Sequence, residues 1–282
     1  MPIDLSAVGK ELEPLPYNFT QKDVILYALG VGAGAEPEDL KYVYENNLVA
    51  LPTFGVIPLV PAVTSFMSME EIQFNPAMLL HGEQYLEQRK HPAPVDGELI
   101  SKPKIANIYD KGKGALVEID VDTVDNKGDV VYYNRIGFFI RGEGGFGGEK
   151  GPEPGYEAPD REPDEVVELE TLPQQAAIYR LSGDSNPLHI DPEFAQMAGF
   201  EKPILHGLCT FGVAGRAILR RLCNDNTEMF KAIKVRFSRP VYPGETIVTE
   251  MWKESPEMIL FRCKTKERGE YCLTNAAAWF NT

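Results

Sequence analysis

The sequence predicts an α+β protein built from one unit used twice. Helix-like segments and alternating strand patterns recur in both halves in the same order. A Gly-, Pro- and acid-rich stretch from Gly142 to Pro163, almost without β-branched residues, reads as loop and parts the two halves. We therefore expect units at residues 1–150 and 164–282, with a linker at 151–163.

Each unit opens with an amphipathic segment. The first runs from about Thr20 to Leu26-Tyr27-Ala28-Leu29-Gly30, the second from about Thr171 to Ile178-Tyr179-Arg180-Leu181-Ser182. Leu80-His81-Gly82 then matches Leu205-His206-Gly207, and a long helix is expected after each His-Gly pair. Gly97-Glu98 and Gly244-Glu245 read as turns into antiparallel strands. Strands are expected near 98–109, 114–125 and 129–141, then 232–240, 245–254, 258–267 and 269–280. Alternation in Leu116-Val117-Glu118-Ile119-Asp120-Val121 fits a sheet with one wet face. Asn126-Lys127-Gly128-Asp129 and Glu267-Arg268-Gly269 fit hairpin turns.

The chain has 282 residues and a formal net charge of -14, which argues against nucleic acid as a bulk partner. A local basic pocket for a small anion is compatible with that charge. Cys209, Cys223, Cys263 and Cys272 show no C-x-x-C spacing and read as buried thiols in a reducing compartment. No apolar run is long enough for a membrane span. The start shows no secretory signal pattern. Phe280-Asn281-Thr282 is not a Ser-Lys-Leu type peroxisomal signal. Either the protein is not addressed that way or the chain is a piece of a longer one.

The chemistry concentrates in Gly183-Asp184-Ser185-Asn186-Pro187-Leu188-His189. Pro187 fixes its own φ and drives Asn186 out of the helical region. A stiff bend holding Asp184 and His189 on one side is expected, and such a pair suits proton transfer. Asp184, His189 and Asp191 are also conceivable metal ligands. No further His or Cys cluster at ligand spacing joins them, so no metal is expected. His206 and His81 read as structural or pocket-lining, and His91 as solvated loop. Gly30-Val31-Gly32-Ala33-Gly34 follows a helix rather than a strand and lacks the context of a phosphate loop.

The run Tyr179 to Asp191 resembles the signature of the MaoC-like, (R)-specific enoyl-CoA hydratases, the hydratase 2 family. The resemblance continues through Phe200–Gly212, Arg236-Phe237 and Val241-Tyr242-Pro243-Gly244. In the first half it covers His81–Leu86 and Gly144–Gly148. It implies a double hot-dog fold, in which two long helices are each wrapped by an antiparallel sheet. It also implies hydration of trans-2-enoyl-CoA to (3R)-3-hydroxyacyl-CoA in fatty acid β-oxidation, by syn addition and without redox cofactor. The catalytic residues it points to are Asp184, His189, Asn186 and Gly207. The substrate contacts it points to are His81, Gly82, Lys111, Ser185, Pro187, Leu188 and Phe237.

The chemistry of the residues agrees. Hydration needs a base for water, an acid for the α-carbon and a donor for the charge on the thioester oxygen. Asp184 and His189 can hold one water; which of them is formally the base stays open. Asn186 would orient the water or a catalytic side chain. Gly207 allows close approach of its N–H, at the positive end of a helix. The first half has Gly30-Val31-Gly32-Ala33 where the second has its catalytic turn. By resemblance the first half makes room for the acyl chain. Ile57–Ala62, Phe66 and Met78 suit either that lining or ordinary core. Lys234, Arg236 and Arg239 are further candidates for the anionic coenzyme. The resemblance also implies a homodimer and a peroxisomal setting, with a cytoplasmic one otherwise. The rival readings are an acyl-thioester dehydratase in fatty-acid or polyketide synthesis, and a non-catalytic acyl-CoA binding module.

Overall fold

The computed structural model describes residues 3–281. The first half contributes β1 (Leu15–Phe19), β2 (Leu79–Gln88), β3 (Gly97–Asp110), β4 (Gly114–Asp125) and β5 (Val130–Arg141). The second contributes β6 (Glu165–Glu170), β7 (Phe230–Phe237), β8 (Thr246–Ser255), β9 (Met258–Thr265) and β10 (Tyr271–Phe280). All ten form one antiparallel sheet in the order β1-β3-β4-β5-β2-β7-β10-β9-β8-β6.

That order reads identically outward from its centre: β2-β5-β4-β3-β1 one way, β7-β10-β9-β8-β6 the other. Each strand of one half has its counterpart at the same place in the other, as a duplicated unit requires. The halves join where β2 pairs with β7, Glu83 facing Arg236 and Leu86 facing Ile233. The architecture is the expected α+β, hot-dog class, with the two sheets fused edge to edge.

Among the described residues six α-helices accompany the sheet: α1 (Gln21–Gly30), α2 (Leu40–Val43), α3 (Val60–Met67), α4 (Gln175–Tyr179), α5 (Pro192–Met197) and α6 (Gly207–Cys223). α6 is buried nearly all round from Cys209 to Leu219, as befits a helix packed in a core. It lies against β6, β7, β8 and the short 3-10 segment Pro52–Val56.

The first half departs from the expected pattern at one place. His81-Gly82 lies inside β2 and is followed by strand, not helix. By strand order β2 corresponds to β7, so His81-Gly82 is not the counterpart of His206-Gly207. The first-half segment that precedes β2 is broken into Pro52–Val56 and the eight-residue α3. Pro52, Pro58 and Pro61 lack the N–H groups that a continuous helix needs. A second long helix is therefore missing among the described residues.

The stretch from 142 to 164 carries no helix or strand, yet it is tied to both halves. The Asp110 carboxylate accepts the N–H groups of Gly145 and Gly147, each at 2.8 Å. Tyr156 packs edge-on against Trp279, and the Trp252 indole donates to the Arg161 carbonyl at 2.9 Å.

Candidate active site

α4 runs into a 3-10 turn, Arg180–Ser182, which ends at Gly183 with φ +131°. That angle is open to glycine and strained for other residues. Two side-chain turns come next in the chain. Asp184 Oδ1 accepts the Asn186 N–H at 3.1 Å, and Asn186 Oδ1 accepts the Leu188 N–H at 3.0 Å. Short polar side chains bonding backbone two residues on are what stiffen such bends. Pro187–His189 then forms a second 3-10 turn, and Asp191 caps α5 through the N–H groups of Glu193 and Phe194. Asp191 is thus engaged with a helix end and stands outside the cluster of Asp184, His189 and His206.

His189 is buried, Asp184 half-buried, and His206, from the start of α6, is buried against both. One donor atom from each of the three lies within 4.8 Å of the others. The His189 and His206 rings stack with centroids 3.8 Å apart at 27°. Nδ1 of His189 lies 2.8 Å from the Ile204 carbonyl. A carbonyl only accepts, so Nδ1 carries the hydrogen and Nε2 keeps its lone pair. Nε2 of His206 likewise donates to the Asp184 carbonyl at 3.2 Å. Its Nδ1 is buried without a partner. One carboxylate and two imidazoles is also a donor set that a divalent metal accepts. Here one nitrogen of each ring is turned to a backbone carbonyl.

Burial holds the His189 pKa below its ordinary value, against the pull of the Ile204 carbonyl and Asp184. Burial, with the neighbouring His189 ring, pushes His206 down to about 3. Both rings are therefore neutral near pH 7, and a neutral imidazole can take a proton.

Gly207 opens α6, whose first backbone N–H groups have no carbonyl within the helix to meet. The positive end of the helix dipole coincides with them. A Cβ on Gly207 would sit 3.2 Å from the Phe237 ring. Phe237, at the end of β7, packs edge-on against His81 at 4.9 Å. His81 donates from Nε2 to Gln84 Oε1 at 3.1 Å, and burial lowers its pKa to about 4. Gly82 sits at a register shift between β2 and β5. The fold thus gathers Asp184, His189, Gly207, Phe237 and His81, while Ser185, Asn186 and Pro187 are exposed on the turn and Leu188 is half-buried.

Lys111 stands apart. It is exposed in the β3–β4 turn, and its Nζ donates to the Pro152 carbonyl at 3.2 Å. Lys234 pairs with Glu83 at 3.5 Å, while Arg236 and Arg239 are exposed. Two surface clefts of about 320 and 360 Å³, one beside Pro92–Val95 and one beside Lys102–Lys104, include none of these residues. Their charged groups, Lys90 and Asp125 in the first and Glu11, Lys102, Lys104, Asp120 and Asp122 in the second, border open surface, whereas Asp184, His189 and His206 converge in a largely buried cluster, the setting in which proton-transfer groups are found. His206 has a larger part in the cluster than its sequence context suggests. Its one signal in the sequence is its place immediately before Gly207.

Comparison with known proteins gives the family. A family model described as the MFE-2 hydratase 2 N-terminal domain matches residues 17–142, and the MaoC-like domain matches 156–276. A probable enoyl-CoA hydratase 2 of Dictyostelium discoideum is 47% identical, covering 99% of this chain and 97% of its own. The peroxisomal multifunctional enzyme type 2 of Mus musculus is 47% identical over 96% of this chain, which spans only 38% of that longer protein. The crystal structure of a MaoC-like dehydratase from Phytophthora capsici superposes with a TM-score of 0.90 at 37% identity, covering 99% and 98% of the two chains. The chain belongs to the MaoC-like hydratase 2 family. No helix of the described residues is long and apolar enough to cross a membrane.

Proposed function

We infer that the chain is an (R)-specific enoyl-CoA hydratase, adding water to trans-2-enoyl-CoA to give (3R)-3-hydroxyacyl-CoA in β-oxidation. The observation that carries this is the placement of Asp184 and neutral His189 beside the helix start at Gly207. One water sits between the Asp184 carboxylate and His189 Nε2. The pair takes a proton from it as its oxygen attacks C3. The C2–C3 electron pair moves toward C2, and charge builds on the thioester oxygen. The Gly207 N–H receives that charge. The pair then returns a proton to C2 from the same face, so addition is syn. Asp184 and His189 act as one coupled unit in this scheme. Asn186 holds the bend through its own oxygen and keeps its amide N–H groups for the water or for Asp184.

In this reading His81, Gly82, Phe237, Ser185, Pro187 and Leu188 contact the thioester and pantetheine, and Lys111 the coenzyme's anionic end. Residues 1–150 accommodate the acyl chain, 151–163 link, and 164–282 carry the chemistry. The protein would act as a homodimer and, like relatives named as peroxisomal, in the peroxisome. The same transition state serves dehydration, so the direction depends on the supply of substrate.

The test replaces Asp184 with Asn and His189 with Gln and measures hydration of crotonyl-CoA and decenoyl-CoA. Each variant should lose at least about 10²-fold in kcat, the contribution of a positioned acid or base. Chiral analysis of the parent's product should give the 3R isomer. Hydration undiminished in both variants, or a 3S product, overturns the assignment.

A further inference from the structure

The last carbonyls of α1 face the second half of the molecule. Gln175 of α4 donates from Nε2 to the Leu29 and Gly30 carbonyls, at 3.0 and 2.6 Å. The Cys209 thiol of α6 donates to the Gly30 carbonyl at 3.3 Å. Arg216 of α6 donates from Nη1 to the Val31 carbonyl at 3.0 Å. Its Nη2 reaches Asp39 Oδ2 at 3.0 Å, and Arg220 reaches Asp39 Oδ1 at 3.0 Å. The Gly34 N–H completes the set on Asp39 at 2.9 Å. Asp39 is 2% exposed and Arg216 is 7% exposed, so the pair is sealed from water.

One first-half segment, from Leu29 to Asp39, therefore grips both α4 and α6. These helices carry the two parts of the site. α4 leads directly into the turn with Asp184 and His189, and α6 begins with Gly207. Arg216 lies nine residues beyond Gly207 on α6, about 13 Å along the axis. Contacts of His206 fix the near end of α6, and the Asp39 pair fixes its axis further down. A buried ion pair is weak evidence for stability, because desolvation offsets its attraction, and fixing register is its better-attested use.

We propose that Asp39 and Arg216 are positioning residues for hydration: by holding α6 against the end of α1 they set where the Gly207 N–H stands relative to Asp184 and His189. The proposal rests on the catalytic assignment of those three residues. A misplacement of about 1 Å costs on the order of 10²-fold in rate, so a modest tilt of α6 is enough to register in kcat.

The experiment compares the parent with Asp39→Asn, which keeps shape and removes charge, and with Arg220→Met, which removes only the half-exposed partner. Steady-state hydration of crotonyl-CoA is measured well below the melting temperature, with the folded fraction taken from circular dichroism. The absorbance shift of bound 4-dimethylaminocinnamoyl-CoA reports how strongly the thioester oxygen is polarised. Asp39→Asn should lower kcat about tenfold or more with KM changed less than about threefold, and should shrink the shift. Arg220→Met should act in the same direction, more weakly. A folded Asp39→Asn with kcat and shift within twofold of the parent overturns the proposal. So does a loss of activity that only tracks the folded fraction while the shift is unchanged. If Asp39→Asn does not fold, unchanged kcat and shift in Arg220→Met overturn it. Asp184→Asn is assayed alongside. If it stays fully active, the site assignment fails; if it is dead while Asp39→Asn and Arg220→Met match the parent, only the positioning role fails.

Discussion

Gly207 offers a test in which one backbone hydrogen can be removed with little else. It is the first residue of α6, where a proline is well tolerated because that N–H has no helical partner. The residue before a proline must be extended, and His206 already is, with ψ 137°. Gly207→Ala and Gly207→Pro both place a Cβ 3.2 Å from the Phe237 ring, so the ring must yield by a few tenths of an ångström in each. Only the proline also lacks the N–H. The ratio of the two variants therefore cancels the Cβ contact and reports loss of the N–H together with the ring Cδ that replaces it. Loss of one oxyanion donor costs about 10²–10³ in kcat, or roughly 2.7–4 kcal/mol. We expect Gly207→Ala to fall only a few-fold below the parent, and Gly207→Pro to fall a further factor of about 10²–10³. The assay is the loss of enoyl-thioester absorbance on hydration of crotonyl-CoA, with circular dichroism to confirm the helix. A folded proline variant within threefold of the alanine variant would show that the Gly207 N–H takes no part in the reaction.

Three further outcomes concern stability. In the unfolded chain a histidine takes a proton near pH 6.5, whereas burial keeps His81 neutral down to about 4 and His206 down to about 3. Between those limits the unfolded state binds more protons, so stability is full above pH 6.5 and falls as pH falls. The slope is about 1.4 kcal/mol per pH unit for each such histidine. The melting temperature should drop steadily from pH 6.5 to 5, less steeply in His81→Gln; a flat profile over that window would contradict the burial of these rings. Ile233, fully buried and facing Leu86 across the β2–β7 seam, should lose about 2–5 kcal/mol on Ile233→Ala. The parent should unfold in a single calorimetric transition, and two separated transitions would mean that the fused sheet does not couple the halves.

Local pattern and long-range packing were unequally legible in the sequence. β3, β4 and β5 alternate apolar and polar residues, and their hairpins carry turn chemistry, so they could be read directly. β2 could not. It lies at the centre of the sheet with a strand on each side, and its buried face carries Gln84 and Gln88 among the apolar residues. Gln84 is satisfied by Asn134 at 2.9 Å, a partner 50 residues away. A buried amide reads as a surface residue until that partner is known. The turn from Gly183 to His189 was legible because its parts are contiguous. The place of His206 was not, because its stacking on His189 joins residues 17 positions apart.

The two halves share strand order but differ in the loop beyond their first helix. In the second half, turns built by Asp184 and Asn186 leave a carboxylate and a neutral imidazole facing one another. In the first half, the corresponding loop buries its acid: Asp39 lies under Arg216 and Arg220. Burial alone would raise the Asp39 pKa, but two guanidiniums and the Gly34 N–H outweigh it and hold the carboxyl below its ordinary value. It stays ionised, yet it has no lone pair in easy reach of a water, so it is poorly suited to proton transfer. The physical requirements of the two tasks are opposed. An anchor needs a sealed, fully paired ion, and a catalytic acid needs an open, partly paired one. The first half has Gly30-Val31-Gly32-Ala33 in place of the Asp184 turn, and the acid further along its loop, Asp39, is an anchor instead. The half without the Asp184–His189 turn thus grips the helix that begins at Gly207.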